Sequence, residues 1–193
     1  MSMKREKTTM KILIINGYEK HVDSNGILTK TLFDTYLNEL RQKNDVQISW
    51  VESYDRVREQ NKFLWADLVI IQFPIYWFQV PGKLKLYMDD VFGFYEFYGS
   101  GKRYGQNGLM NGTKYLLSTT WNAPKYAFND EKEFFGGKDV DDVLFPMYCA
   151  FKYCGFKPFD EDKRALSFHD VIKNPKVDDY INEIKAFVKE HNL

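Results

Sequence analysis

Between Ile70 and Phe92 the chain reads IIQFPIYWFQVPGKLKLYMDDVF, and this stretch restricts the fold more than any other. An apolar run halts at Pro74, three large aromatic residues follow (Tyr76, Trp77 and Phe78), and Pro81-Gly82 then opens a segment with helical apolar spacing. A run that is apolar at successive positions, rather than alternate ones, marks a strand covered on both faces, as in a parallel sheet. Open parallel sheets hold their ligands just beyond the carboxyl ends of the strands. The aromatic trio stands at such an end, which points to a site for a planar ring.

The remaining segments repeat the alternation of strand and helix. Strands are expected at 11–16, 46–51, 67–73 and 114–121, and a last one from 156–159 and 166–168. Helices are expected at 25–43, 55–66 (bearing Val57, Phe63 and Leu64), 82–92, 141–153 and 177–191. This order predicts a single α/β domain over residues 11–193, a three-layer αβα sandwich around a five-stranded parallel sheet, with residues 1–10 as a frayed tail. Two folds share the pattern, flavodoxin-like and a shortened nicotinamide-binding fold. The first strand-to-helix turn, Asn16-Gly17-Tyr18-Glu19-Lys20-His21, lacks the Gly-x-Gly-x-x-Gly spacing, which favours the flavodoxin-like reading.

Charge narrows the partners. The chain has 27 basic and 27 acidic residues, so it offers no basic excess for nucleic acid or an anionic membrane. No apolar run approaches the roughly 20 residues of a membrane span, and MSMKREKTTM has no apolar core of a secretory signal. Cys149 and Cys154, five apart, stand about 140° apart on a helix, which suits neither zinc nor a disulfide. Two thiols in a reducing cytoplasm are the expectation. Asp89 and Asp90 point about 100° apart on a helix and make a poor acid/base pair, and the three histidines are scattered. No metal site and no hydrolytic motif is read.

Three segments carry chemistry. The 17–31 loop leaves a strand and enters a helix, with Ser24, Asn25 and Gly26 as cap residues and Thr29 a turn later, so its amides can face a phosphate. Pro74-Ile75-Tyr76-Trp77 offers an apolar wall with backbone donors. Thr119–Pro124 ends the fourth strand, where Thr120 and Asn122 offer hydrogen bonds and Trp121 a flat face. Tyr126, Phe128, Phe134 and Phe135 follow and can cap a substrate pocket, and the glycine-rich 93–112 stretch is long enough for a functional loop.

These residues resemble the flavodoxin-like NAD(P)H:quinone oxidoreductases, in particular the modulator of drug activity B (MdaB) type. The frame F-P-x-x-W-F-x-x-P-x-x-x-K-x-x-x-D-x-V-F is met by Phe73, Pro74, Trp77, Phe78, Pro81, Lys85, Asp89, Val91 and Phe92. The frame I-I-N-G-x-x-x-x-x-x-S-x-G-x-L is met by Ile14–Gly17, Ser24, Gly26 and Leu28, with Asp23 where the family often has histidine and His21 two residues earlier. T-W-N-A-P recurs at Thr120–Pro124, K-K-Y-G is approached by Lys102–Gly105, and N-D-V-I-K by Asp170–Lys173.

The resemblance implies a non-covalent flavin, FAD rather than FMN, with NADPH or NADH as co-substrate and a quinone as acceptor. Hydride would pass through flavin N5 by a ping-pong course with no catalytic side chain, and Tyr126 and Phe128 would shape the pocket. It carries cofactor contacts onto His21, Ser24, Gly26, Leu28, Thr29, Thr31, Pro74, Ile75, Tyr76, Trp77, Tyr104, Thr120, Trp121, Asn122 and Ala123. It further implies a homodimer in the cytoplasm. An electron carrier or regulatory subunit, and an azo or nitro reductase, stand as alternatives on sequence alone.

Overall fold

The computed structural model describes residues 9–22 and 24–193. Strands and α-helices alternate as far as β5, which β6 follows directly: β1 (Lys11–Asn16), α1 (Ile27–Leu40), β2 (Asp45–Trp50), α2 (Arg56–Trp65), β3 (Leu68–Pro74), α3 (Gly82–Val91), β4 (Lys114–Thr120), α4 (Val140–Cys154), β5 (Lys157–Pro158), β6 (Ala165–Phe168) and α5 (Val177–Glu190). The strands pair in parallel in the order β2-β1-β3-β4, with β5 and β6 both beyond β4. The expected fifth strand is therefore two short ones. β5 pairs with Lys114 and Tyr115, β6 pairs with Leu117–Thr120, and the chain between them turns out around Asp160, which accepts from the amides of Asp162 and Lys163.

Each inner strand feeds two cores. Ile12, Ile14, Leu68, Ile70 and Leu116 face a cluster with Leu32, Phe33 and Tyr36 of α1 and Ile184 and Phe187 of α5. Leu13, Ile15, Val69, Ile71, Phe73 and Leu117 face α2, α3 and α4 through Phe63, Leu84, Tyr87, Leu144 and Phe151. β3, with β1 and β4 at its sides and helices above and below, is buried at all seven positions, which explains its unbroken apolar run. Such a side chain contributes about 1.5–3 kcal/mol when fully buried.

The elements end where local chemistry stops them. α1 is shorter at both ends than expected: Gly26 precedes it at φ 71°, and beyond Leu40 the Asn44 amide donates to Leu40 O while its Oδ1 accepts from Met10 N–H. That pair ties Met10, just before β1, to the end of α1, and residues 1–8 lie outside the described residues. α2 is capped by Asp55, whose carboxylate accepts from Arg58 N–H. Of the apolar residues noted on it, one alone faces inward. Val57 and Leu64 are exposed, and the buried face is Phe63 with the polar Glu59 and Gln60. Glu59 is satisfied there by Tyr87 and Lys62, and Gln60 by Val91 O. Asp139, the N-cap of α4, and Asp142 in its first turn cap each other reciprocally.

The chain departs from β1 to one side and returns through β3 on the other, so the direction of winding reverses between these neighbours. Their carboxyl ends open the crevice where ligands bind in doubly wound sheets.

Candidate functional site

The first wall follows β1. Gly17 continues the strand, its N–H donating to Gln72 O at 2.8 Å. A Cβ there would fall 2.9 Å from both Leu84 and Phe73, so close packing, not a turn conformation, demands glycine. The loop then folds on itself: Tyr18 N–H donates to Asn16 Oδ1, Tyr18 OH donates to Ser24 O, and a short bridge joins His21 to Ser24. Gly26 takes a left-handed conformation with the Tyr18 ring 2.5 Å from where a Cβ would stand. Gly26 offers no capping side chain, Asn25 Oδ1 accepts from Ile27 N–H at 3.1 Å, and α1 brings Leu28 and Thr29 to the cavity surface. The amides of a first helical turn, with the positive helix end behind them, form an anion site. Asp23 lies outside the described residues.

The second wall is the turn after β3. Tyr76 and Gln79 exchange two backbone hydrogen bonds of 3.0 Å, leaving Trp77 and Phe78 as a two-residue loop with φ of 49° and 63°. Positive φ at both central residues is the mark of a type I′ turn, where Asn-Gly is usual. A bulky residue there costs about 1–2 kcal/mol. Neither ring seals a helix against the sheet. Trp77 is 90% exposed, and Phe78 stacks on Phe134 with ring centres 5.5 Å apart. Ile75 N–H donates to Thr120 O, which joins this wall to the third.

The third wall is built by two segments. Trp121 N–H donates to Phe168 O, Val171 N–H to Trp121 O, and Asp170 N–H to Ala123 O. His169 Nδ1 stands 3.2 Å from Ala123 O, and a carbonyl only accepts, so that nitrogen carries the proton. Burial holds the His169 pKa below its ordinary value, and the Lys125 charge adds to this. Burial likewise raises the Tyr76 phenol, with Ser24 opposing.

Two adjoining cavities result. One, about 530 Å³, is lined by His21, Ser24, Gly26, Leu28 and Thr29 from the first wall, Pro74–Trp77 from the second, and Thr120 and Asn122 from the third. The other, about 620 Å³, shares Ile75, Trp77 and Asn122 and adds Phe78, Trp121, Ala123, Tyr126, Phe134 and Phe135. Of the residues singled out in the sequence, three stand apart. Thr31 is one turn into α1, its hydroxyl donating to Ile27 O. Phe128 is buried, stacked on Phe135 and edge-on to Trp121, behind the wall rather than in the cavity. Tyr104 is 93% exposed in a separate groove against Tyr153 of α4.

The sequence reading missed Val171 and Ile172 in the first cavity and Asp170 and Lys173 in the second. They stand in the segment matching the N-D-V-I-K frame, so the motif was visible but its place at the sheet edge was not.

Residues 10–188 match the family model described as Flavodoxin-like fold. An uncharacterized protein of Schizosaccharomyces pombe is 39% identical over 91% of this chain and 97% of its own. The NADPH:quinone oxidoreductase MdaB of Haemophilus influenzae is 33% identical over 94% of this chain and 98% of its own. A putative quinone reductase structure from Klebsiella pneumoniae superposes with a TM-score of 0.72 at 24% identity, covering 95% of this chain and 84% of its own.

Proposed function

This chain belongs to the flavodoxin-like fold family, and we propose that it is a flavin-dependent NAD(P)H:quinone oxidoreductase. The observation that carries the reading is the joining of an anion-accepting helix start to an aromatic-walled cavity at one sheet edge. The full-length similarity to a NADPH:quinone oxidoreductase supports the activity. When bound, the flavin supplies two-electron hydride chemistry that no side chain of the site offers.

The chain's own residues do the holding. The start of α1 at Leu28 and Thr29, with Ser24, suits phosphate oxygens; Pro74–Trp77, Thr120 and Asn122 suit a ring with a polar edge. Trp77, Phe78 and Phe134 would exclude water from the face where nicotinamide and quinone alternate. The flavin is read as FAD from the resemblance. A Treponema denticola general stress protein 14 solved with FMN, at TM-score 0.68 and 24% identity, makes identification of the released flavin part of the test.

The same reading includes a homodimer in a reducing, cytoplasmic setting, with Cys149 and Cys154 as free thiols. The resemblance takes Tyr104 to the cofactor, yet in one copy it lines a groove of about 600 Å³ with Met88, Tyr98 and Tyr153. A second copy seated on that groove would bring Tyr104 near the other copy's site. Light scattering after size exclusion checks this: a monomer at micromolar concentration removes the dimer from the reading.

The activity is tested by an absorption spectrum before and after anaerobic NADPH, with the released flavin identified as FAD or FMN by chromatography. A flavin spectrum that bleaches, and recovers with quinone, is the expected result. A flavin that stays oxidised turns the reading toward a carrier or regulatory subunit, and a protein that takes up no flavin overturns it.

A further inference from the structure

Glu19 ties the loop of the first wall to the start of α3, the helix that follows the second wall. Its Oε1 accepts from Gly82 N–H and its Oε2 from Lys83 N–H, both at 2.9 Å. These are the first two amides of α3, groups that a helix leaves without internal partners. Pro81 precedes them and has no side chain able to accept, so the cap comes from 63 residues earlier in the chain. Gly17, Tyr18 and Lys20 are also held, by Gln72 O, Asn16 Oδ1 and Glu52 Oε1. Gly17 also packs against Leu84 of α3, the helix that follows the aromatic turn, but of the four it is Glu19 that hydrogen-bonds to that helix.

We propose that Glu19 is a positioning residue, holding the 17–26 loop against the start of α3 so that the loop and the 76–79 turn keep one spacing for the cofactor. The proposal rests on the flavin reading above. The carboxylate has a second consequence. Helix α1 begins at the cavity surface, and the positive end of a helix attracts an anion. Glu19 occupies the end of α3 with its own charge, whereas at α1 Asn25 Oδ1 takes only the Ile27 N–H and Gly26 supplies no capping side chain.

A plain helix cap would stabilise α3 without governing the loop, and three variants separate the two roles. Glu19→Ala removes both bonds, Glu19→Gln keeps one acceptor oxygen, and Glu19→Ala with Pro81→Ser supplies a local cap in place of the distant one. Hydrogen exchange is followed on cofactor-free protein, and flavin affinity by fluorescence quenching. The expected result for Glu19→Ala is faster exchange across residues 17–26 and a flavin Kd raised about tenfold, as for loss of charge-assisted bonds. Glu19→Gln should fall between it and wild type. The double variant should regain protection at the start of α3 while its loop stays fast and its Kd high. Unchanged loop exchange or an unchanged Kd in Glu19→Ala overturns the proposal, as does full recovery of both in the double variant. If wild type binds no flavin, the flavin reading falls by itself, and the exchange data alone decide whether Glu19 ties the loop.

Discussion

The indole N–H of Trp121 donates to Thr119 Oγ1 at 2.8 Å, two residues back along the same chain. The bond turns the largest side chain of the third wall inward, leaving it 1% exposed with its ring edge-on to Phe128. Thr119 Oγ1 also lies 2.9 Å from Ser167 Oγ, so one hydroxyl fixes both segments of the wall. Thr119→Val keeps the volume and strands the buried N–H. It should lower stability by about 1–3 kcal/mol, read as a shifted urea midpoint with unchanged slope. A loss under a few tenths of a kcal/mol would mean the indole finds another acceptor.

Trp77 makes the opposite prediction. It is 90% exposed and sits at φ 49°, so the fold gains little from its side chain and bears the cost of its backbone. Trp77→Gly should raise stability by about 1 kcal/mol by relieving the left-handed strain. Trp77→Ala, which keeps the strain, should not. Both should lower flavin occupancy if the ring walls the cofactor. Denaturation and flavin content measured on the same samples check the pair, and full occupancy in both variants would return Trp77 to a bystander.

The fold was legible because periodicity reports burial. The unbroken run of β3 and the apolar face of α1 announce covered surfaces, and the element order then leaves few ways to wind the sheet. Segments whose burial is polar were less legible. Nothing in the spacing of Glu59 and Gln60 signals that they face inward, because their partners Tyr87 and Val91 are distant in sequence. The same holds at the site. Three motifs end strands and so converge, but Glu19 is an unremarked acid until Gly82 and Lys83 are folded against it. Tyr104 shows the converse, a residue matched by motif that one copy of the chain leaves in another groove.

Glu59 tests how much polar burial sustains the second core. It is 3% exposed and accepts from Tyr87 OH at 2.6 Å and Lys62 Nζ at 2.7 Å, while Lys62 also reaches Ile48 O and Ser49 Oγ. Burial, with the Glu59 charge beside it, pushes the Tyr87 phenol far up, so it remains a donor. Tyr87→Phe should cost about 1.5–3 kcal/mol, the range for a bond to a charged acceptor. Flavin affinity should stay within about twofold, since Tyr87 lines neither cavity. A stability loss accompanied by a large loss of affinity would show that this core supports the site.

His169 links the third wall to pH. Its ring donates through Nδ1 to Ala123 O, stacks near Trp121, and is held below its ordinary pKa of 6.5 by burial, with Lys125 adding to this and the Ala123 O bond, then Glu183, opposing. A histidine with a lowered folded pKa is neutral in the native state while the unfolded chain still takes up a proton. Stability is therefore fully present above about pH 6.5 and is lost as pH falls through the window between the unfolded and the folded value. His169→Asn retains a donor for Ala123 O but cannot charge. Compared with wild type by denaturation at pH 5.0, 6.0 and 7.5 (chosen to span about a pH unit either side of the ordinary value), it should be less sensitive to acid. The difference between the two proteins should shrink as pH falls. Parallel stability curves for the two would mean that His169 does not titrate with unfolding, and that the third wall owes its acid response to other groups.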